Sequence, residues 1–149
     1  DLGLENDIVL LGYTDNPYKY CAKSKMYILS SISEGFPNAL VEAMACGVPV
    51  IAADCKTGPR EILTEEKKRN QIAKDIEFAD YGILVPPLNK RENFSPEIEK
   101  GEEIIAQAIE LLLDNQELAE KYSSRSRRRA ADFSFAKCRE NIVSIIEEQ

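Results

Sequence analysis

Residues 33–53 read SEGFPNALVEAMACGVPVIAA, and this stretch decides the fold. Pro37 suits the first turn of a helix, where its missing N–H costs nothing and its fixed φ of about −65° is already helical. The residues after it are helix-compatible as far as Cys46, and Gly47 stands where a helix commonly closes on a left-handed residue. Pro49 to Ala53 then runs apolar without alternation, as a strand buried on both faces does. A similar run, Met26 to Leu29, precedes the stretch. The unit is therefore strand, loop, helix, strand, the kind of connection that parallel strands require.

The same pattern extends in both directions. Ile8 to Leu11 and Gly82 to Val85 are further continuous apolar runs, and Asn16 to Ser24 and Gly58 to Leu63 read as further helices, with Pro17 near the start of the first. Strand and helix in alternation predict an α/β fold, a parallel sheet with flanking helices. In the last third, Ile98 to Leu113, Gln116 to Ala131 and Phe135 to Glu147 carry apolar residues at helical spacing and are expected as amphipathic helices. The polar segments Thr64 to Asp80 and Leu88 to Glu97 are expected as loops or short solvated helices around the last strand. The sequence holds no internal repeat and no low-complexity tract.

Composition narrows the chemistry. The 149 residues suit one domain and contain no histidine, which excludes Ser-His-Asp and Cys-His relays, His-bearing zinc sites and imidazole acid–base catalysis within this chain. With 19 basic and 26 acidic residues the net charge is −7, so the bulk field repels a phosphate backbone and nucleic acid is not an expected partner. Cys21, Cys46, Cys55 and Cys138 form neither a CxxC pair nor a dense disulfide framework, which points to a reducing, cytoplasmic setting. No apolar run approaches the roughly 20 residues that span a bilayer, and no signal peptide is expected in the stretch that opens at Asp1. Asp1, followed closely by a strand-like run, reads as the start of a piece of a longer chain.

The chemistry gathers between Ser33 and Gly47. A helix beginning at Pro37 leaves the amides of Asn38, Ala39 and Leu40 without intrahelical acceptors, pointing back into the loop, where an anion such as phosphate is favoured. Gly35 allows a ligand close to the backbone. In an open parallel sheet this loop lies beyond the carboxyl ends of the strands, where ligands bind. Glu34 and Glu42 frame the helix start with seven residues between them, and Glu42 shares a helix face with Asn38. The two oxygens of a carboxylate suit the paired hydroxyls of a ribose or hexose. Equally, Asn38 and Glu42 could be only the solvated stripe of an amphipathic helix.

Residues 33–53, with the later GPREIL (58–63) and YGILVP (81–86), resemble the retaining family 4 glycosyltransferases of the GT-B fold, whose signature is Glu, seven residues, Glu, a small-residue helix end and a Pro-Val strand. The DC-x-x-GPREIL block is similar to that of bacterial transferases of capsule, O-antigen and other surface polysaccharides. The resemblance implies a partial, Rossmann-like C-terminal domain over residues 1–149, with an N-terminal acceptor domain and the first two strands of this domain lying elsewhere. It places Glu34 against the donor sugar as the catalytic group, with Gly35, Phe36 and Pro37 lining that pocket. Asn38, Ala39 and Leu40 would offer amides to the diphosphate, and Glu42 would bind the ribose diol. Gly12, Tyr13 and Thr14 would border the nucleobase, although Tyr13 also fits an aromatic packed on the sheet edge.

The implied reaction is glycosyl transfer with retention through an oxocarbenium-like transition state, the departing diphosphate taking the acceptor proton, with no metal or other cofactor required. Expected partners are a nucleotide-sugar donor, a UDP-sugar favoured, and a glycan or lipid-linked acceptor held by the other domain. The chain alone is expected to be inactive. The enzyme is expected in the cytoplasm, at most peripheral on the inner face of the membrane. Because the family's strand order 3-2-1-4-5-6 puts two further strands between Ile8 to Leu11 and Met26 to Leu29, the chain should either pair these two runs directly or associate with another copy.

Several residues keep two readings. Arg125, Arg127, Arg128 and Arg129 could meet acidic lipid or form a solvated helix face. Lys56 and Arg60 fall on the ligand side, and Arg60 could bind phosphate or pair with an acid. Lys67, Lys68 and Arg69 read as a solvated loop, and Cys46 and Cys55 as structural thiols. The alternative functions are a noncatalytic nucleotide-binding or signalling module and a fragment of a GT-B nucleotide-sugar epimerase, although such epimerases often use a cleft histidine. A receiver's acidic and lysine pattern at the strand ends is missing, and so are GxGxxG and GKS or GKT loops.

Overall fold

A computed structural model of the chain describes residues 3–65, 71–89 and 97–147. The expected alternation forms: α1 (Tyr18–Cys21), β1 (Tyr27–Leu29), α2 (Asn38–Ala45), β2 (Val50–Ala53), α3 (Pro59–Leu63), β3 (Glu77–Phe78), β4 (Ile83–Val85), α4 (Lys100–Asp114), α5 (Gln116–Ala130) and α6 (Phe135–Glu147), with a 3₁₀ turn at Ala131–Phe133. The sheet order is β1-β2-β4-β3. β1 pairs β2 in parallel with Tyr27 opposite Val50, β2 pairs β4 in parallel with Ile51 opposite Ile83, and β3 closes the edge antiparallel to β4.

β2 and β4 have the double burial that their unbroken apolar runs predict, whereas β1, at the edge of the sheet, does not: Ile28 is 37% exposed. Because side chains alternate across a strand, Val50, Ala52 and Leu84 face one way and Ile51, Ala53, Ile83 and Val85 the other. The first set packs with Leu40, Ala43 and Met44 of α2 and Ile62 and Leu63 of α3. The second packs with Ile104, Ala108 and Leu112 of α4 and Tyr122 of α5. The Tyr122 hydroxyl donates to the Ala79 carbonyl at 3.2 Å, and burial pushes this phenol up to about 12.

Three expectations need correction. Ile8 to Leu11 is not a strand; the run is exposed, Leu10 at 92%, and no other described strand lies beside it. A strand holds only by pairing with a neighbour, and an apolar run without one gains nothing from extending. The helix expected over Asn16 to Ser24 shrinks to Tyr18–Cys21, which buries no residue and so lacks the packing that sustains short helices. The segment Thr64 to Asp80 contains β3, whose two residues are too few for a periodic signal. Of the polar segments, residues 66–70 and 90–96 lie outside the described residues, and Lys67, Lys68 and Arg69 with them.

Arg125, Arg127 and Arg128 of α5 are exposed, as a solvated helix face requires, and the cluster also makes contacts that neither reading anticipated. Arg127 donates to the Cys46 carbonyl at 3.3 Å at the end of α2, and Arg129 donates to the Glu61 and Ile62 carbonyls at 3.1 Å near the end of α3. Arg125 reaches the Asp80 carbonyl at 3.3 Å. Cations at helix carboxyl termini answer both the unpaired carbonyls and the negative end of the dipole. The cluster thus ties α5 to the helix layer that carries the candidate site.

Candidate functional site

The loop after β1 turns into α2 at the carboxyl end of the parallel strands. Helix α2 buries Leu40, Ala43 and Met44 and leaves Asn38, Ala39 and Glu42 on its open side, so Asn38 and Glu42 share one solvent-facing stripe as their four-residue spacing requires. Glu34 is half-buried in the loop. A Cβ added at Gly35 would meet open space, so nothing described fills the room beside that backbone. Phe36 is held from outside, its ring centroid 5.4 Å from that of Phe133, over which the Arg129 guanidinium lies at 4.7 Å. Pro37 is buried at the N-cap.

Among the described residues, no hydrogen bond engages the Asn38 or Ala39 amide, and both face the loop mouth. The Leu40 amide is a correction: it donates to the Pro37 carbonyl at 3.0 Å, because a tight turn at the N-cap supplies an acceptor three residues back. It is therefore not free for a ligand, and Leu40 itself is core. Two residues that sequence reading missed stand beside the glutamates. Tyr27 of β1 has its phenol pushed up by burial first, and then by the charges of Cys21, Glu34 and Glu42, which places both carboxylates in the field of one hydroxyl. Thr57 donates its hydroxyl to the Glu34 carbonyl across 23 residues of sequence.

Thr57 belongs to the loop between β2 and α3, and that loop is held by a buried ion cluster. The Arg60 guanidinium binds Asp54 through Nε at 2.9 Å and Nη2 at 2.5 Å, and Glu77 through Nη1 at 3.0 Å and Nη2 at 2.8 Å. Burial works against this charge, but the hydrogen bonds to Glu77 and Asp54 and their charges outweigh it and hold Arg60 above its ordinary value. Of its two readings, pairing with acids is the one that the structure adopts. Lys56 is exposed on the same loop, whereas Cys55 is buried and its thiol pushed up by that burial. Cys46 is half-buried at the end of α2.

Gly12, Tyr13 and Thr14 precede α1 on the exposed segment. Tyr13 is 93% exposed and does not pack on the sheet edge. Among the described residues no hydrogen bond joins these three to residues 34–42. A cavity of about 620 Å³ opens at the same end of the sheet, between Ser30, Pro86 and the start of α4, with Lys74 and Lys100 at its wall; none of the expected site residues lines it. No helix among the described residues is long and apolar enough to cross a membrane.

The family described as Glycosyl transferases group 1 matches residues 1–87. An uncharacterized glycosyltransferase of Methanocaldococcus jannaschii is 36% identical over 91% of this chain and 34% of its own length. A Campylobacter jejuni enzyme named N-acetylgalactosamine-N,N'-diacetylbacillosaminyl-diphospho-undecaprenol 4-alpha-N-acetylgalactosaminyltransferase is 30% identical over 92% of this chain and 31% of its length. Among solved structures, Anabaena HepE in complex with UDP and glucose superposes with a TM-score of 0.73 at 21% identity, covering 99% of this chain and 34% of that one. The chain thus spans about a third of the length of the relatives it matches.

Proposed function

This chain belongs to the Glycosyl transferases group 1 family, with the fold of GT-B enzymes, and on that premise we propose that it forms the donor-binding part of a retaining glycosyltransferase. The observation that carries the reading is the constellation at the β1 carboxyl end: half-buried Glu34, open space beside Gly35, two amides without partners at a helix start, and Glu42 on the open face of that helix. Glu34 faces the donor sugar, the Asn38 and Ala39 amides receive the diphosphate at the positive end of α2, and Glu42 accepts hydrogen bonds from the ribose diol. Gly12, Tyr13 and Thr14 complete the nucleobase side once the segment is fixed by the remainder of the enzyme. The UDP bound in HepE supports a uridine nucleotide donor, and the diphospho-undecaprenol acceptor in the name of the Campylobacter jejuni relative supports a role in assembling glycans on a lipid carrier.

Developing charge on the departing diphosphate is met by helix amides, which need neither an imidazole base nor a metal in this part of the site. The acceptor, and the cations that neutralise the diphosphate, belong to the portion of the enzyme outside this chain, so the chain alone binds donor without transferring sugar.

Glu42→Gln tests the assignment. A charge-assisted hydrogen-bond pair contributes about 1.5–3 kcal/mol, so the full-length variant should bind a UDP-sugar roughly 10- to 100-fold more weakly by calorimetry. Unchanged donor affinity would remove Glu42 from the ribose site. Self-association follows from the open β1 edge and the exposed run at Ile8 to Leu11, which offer a second copy both backbone and apolar surface. Light scattering of the isolated chain should report dimers or larger species at micromolar concentration, and a strictly monomeric mass throughout that range would refute it.

A further inference from the structure

We propose that Thr57 is a positioning residue for Glu34, acting through a clamp that residues 55–58 close on the loop at 34–37. The proposal rests on the reading of Glu34 as the donor-facing group. Among the described residues the Glu34 carboxylate accepts no hydrogen bond of its own, so its location is set by the backbone that carries it. That backbone is held at two points, by Thr57 and by Gly58. Thr57 Oγ1 donates to the Glu34 carbonyl. Buried Cys55 steadies Thr57 itself, its thiol donating to the Thr57 carbonyl with Sγ 3.5 Å from the oxygen. Gly58, at φ +94°, presses so closely that a Cβ there would come within 2.5 Å of Pro37 Cδ and 2.9 Å of the Gly35 carbonyl.

The other end of the clamp is anchored by Asp54, whose carboxylate is locked to Arg60 and accepts from the Ala73 amide at 2.6 Å. Thr57 is the exposed member of the set, so replacing it removes one hydrogen bond without opening the core. A catalytic group displaced by about 1 Å can lose up to 100-fold in rate, whereas binding of the diphosphate and ribose, which uses α2, is left in place.

In the full-length transferase, Thr57→Val should lower kcat roughly 10-fold with donor KM changed less than about twofold, and Thr57→Ser, which keeps the hydroxyl, should restore kcat. In the 149-residue chain, amide exchange at residues 34–36 should quicken in Thr57→Val and not in Thr57→Ser. Wild-type kcat in Thr57→Val beside a silenced Glu34→Gln overturns the clamp, as does unchanged exchange. If Glu34→Gln itself keeps wild-type kcat, the failure lies in the reading of Glu34, and the exchange comparison alone decides whether Thr57 holds the loop.

Discussion

Glu34→Gln in the full-length enzyme is expected to lower kcat by about 10²- to 10³-fold while changing the donor Kd by less than about tenfold. The amide keeps the size and much of the hydrogen bonding of the carboxylate, so the substitution isolates the charge. A fixed negative charge beside a sugar that develops oxocarbenium character contributes more in the transition state than in the ground state, and interactions of that kind appear in kcat. The donor keeps its hold on α2, where the Asn38 and Ala39 amides and Glu42 sit on a different element from Glu34. Steady-state kinetics with a UDP-sugar and calorimetry on the same variant separate the two effects. A fully active Glu34→Gln enzyme would leave the loop as a binding feature only, and a variant that loses affinity and rate in equal measure would make Glu34 a ground-state contact.

Much of this arrangement was legible in the sequence, and the reasons divide cleanly. Continuous apolar runs marked β2 and β4 because burial on both faces leaves no polar positions, the run at β1 marked a strand although its outer face stays open at Ile28, and Gly47 and Pro37 marked the limits of α2 because each suits only one end of a helix. The stripe of Asn38 and Glu42 followed from helical geometry alone. What failed depended on partners distant in sequence. Ile8 to Leu11 has the composition of a strand, yet pairing is supplied by a neighbour and not by propensity. The α5 arginines read as a charged face, and Arg125, Arg127 and Arg128 are exposed as such a face is, but nothing local reveals that carbonyls 67 and 81 residues earlier end beneath Arg129 and Arg127. Thr57 and Tyr27 were missed for the same reason: a hydroxyl on a loop and a tyrosine in a strand gain meaning only when the β1 loop folds beside them. The Leu40 amide is a local failure, because whether the first turn tightens onto the Pro37 carbonyl depends on a degree of winding that residue types do not specify.

Arg60→Ala should cost about 3–5 kcal/mol of folding stability, the range for removing one partner of a buried ion pair. Arg60 is 4% exposed and Asp54 2%, so the truncation strands the Asp54 carboxylate in the core with the Ala73 amide as a remaining donor. Against the roughly 5–15 kcal/mol that holds a typical domain together, such a loss leaves little margin. The three members should rank unequally. Asp54→Ala leaves Arg60 with Glu77, whereas Glu77 is 29% exposed and solvent screening reduces what Glu77→Gln can remove to about 1 kcal/mol or less. Arg60→Lys should recover only part of the loss, since one ammonium cannot present the planar fork that meets two carboxylates at once. Urea unfolding of the four variants tests the order, and an Arg60→Ala cost below about 1 kcal/mol would mean that water reaches the cluster. Asp54 opens the loop whose Thr57 and Gly58 lie on the Glu34 loop, so any Arg60 variant that still folds should also lose part of kcat, joining the stability of the sheet's carboxyl end to the placement of its glutamate.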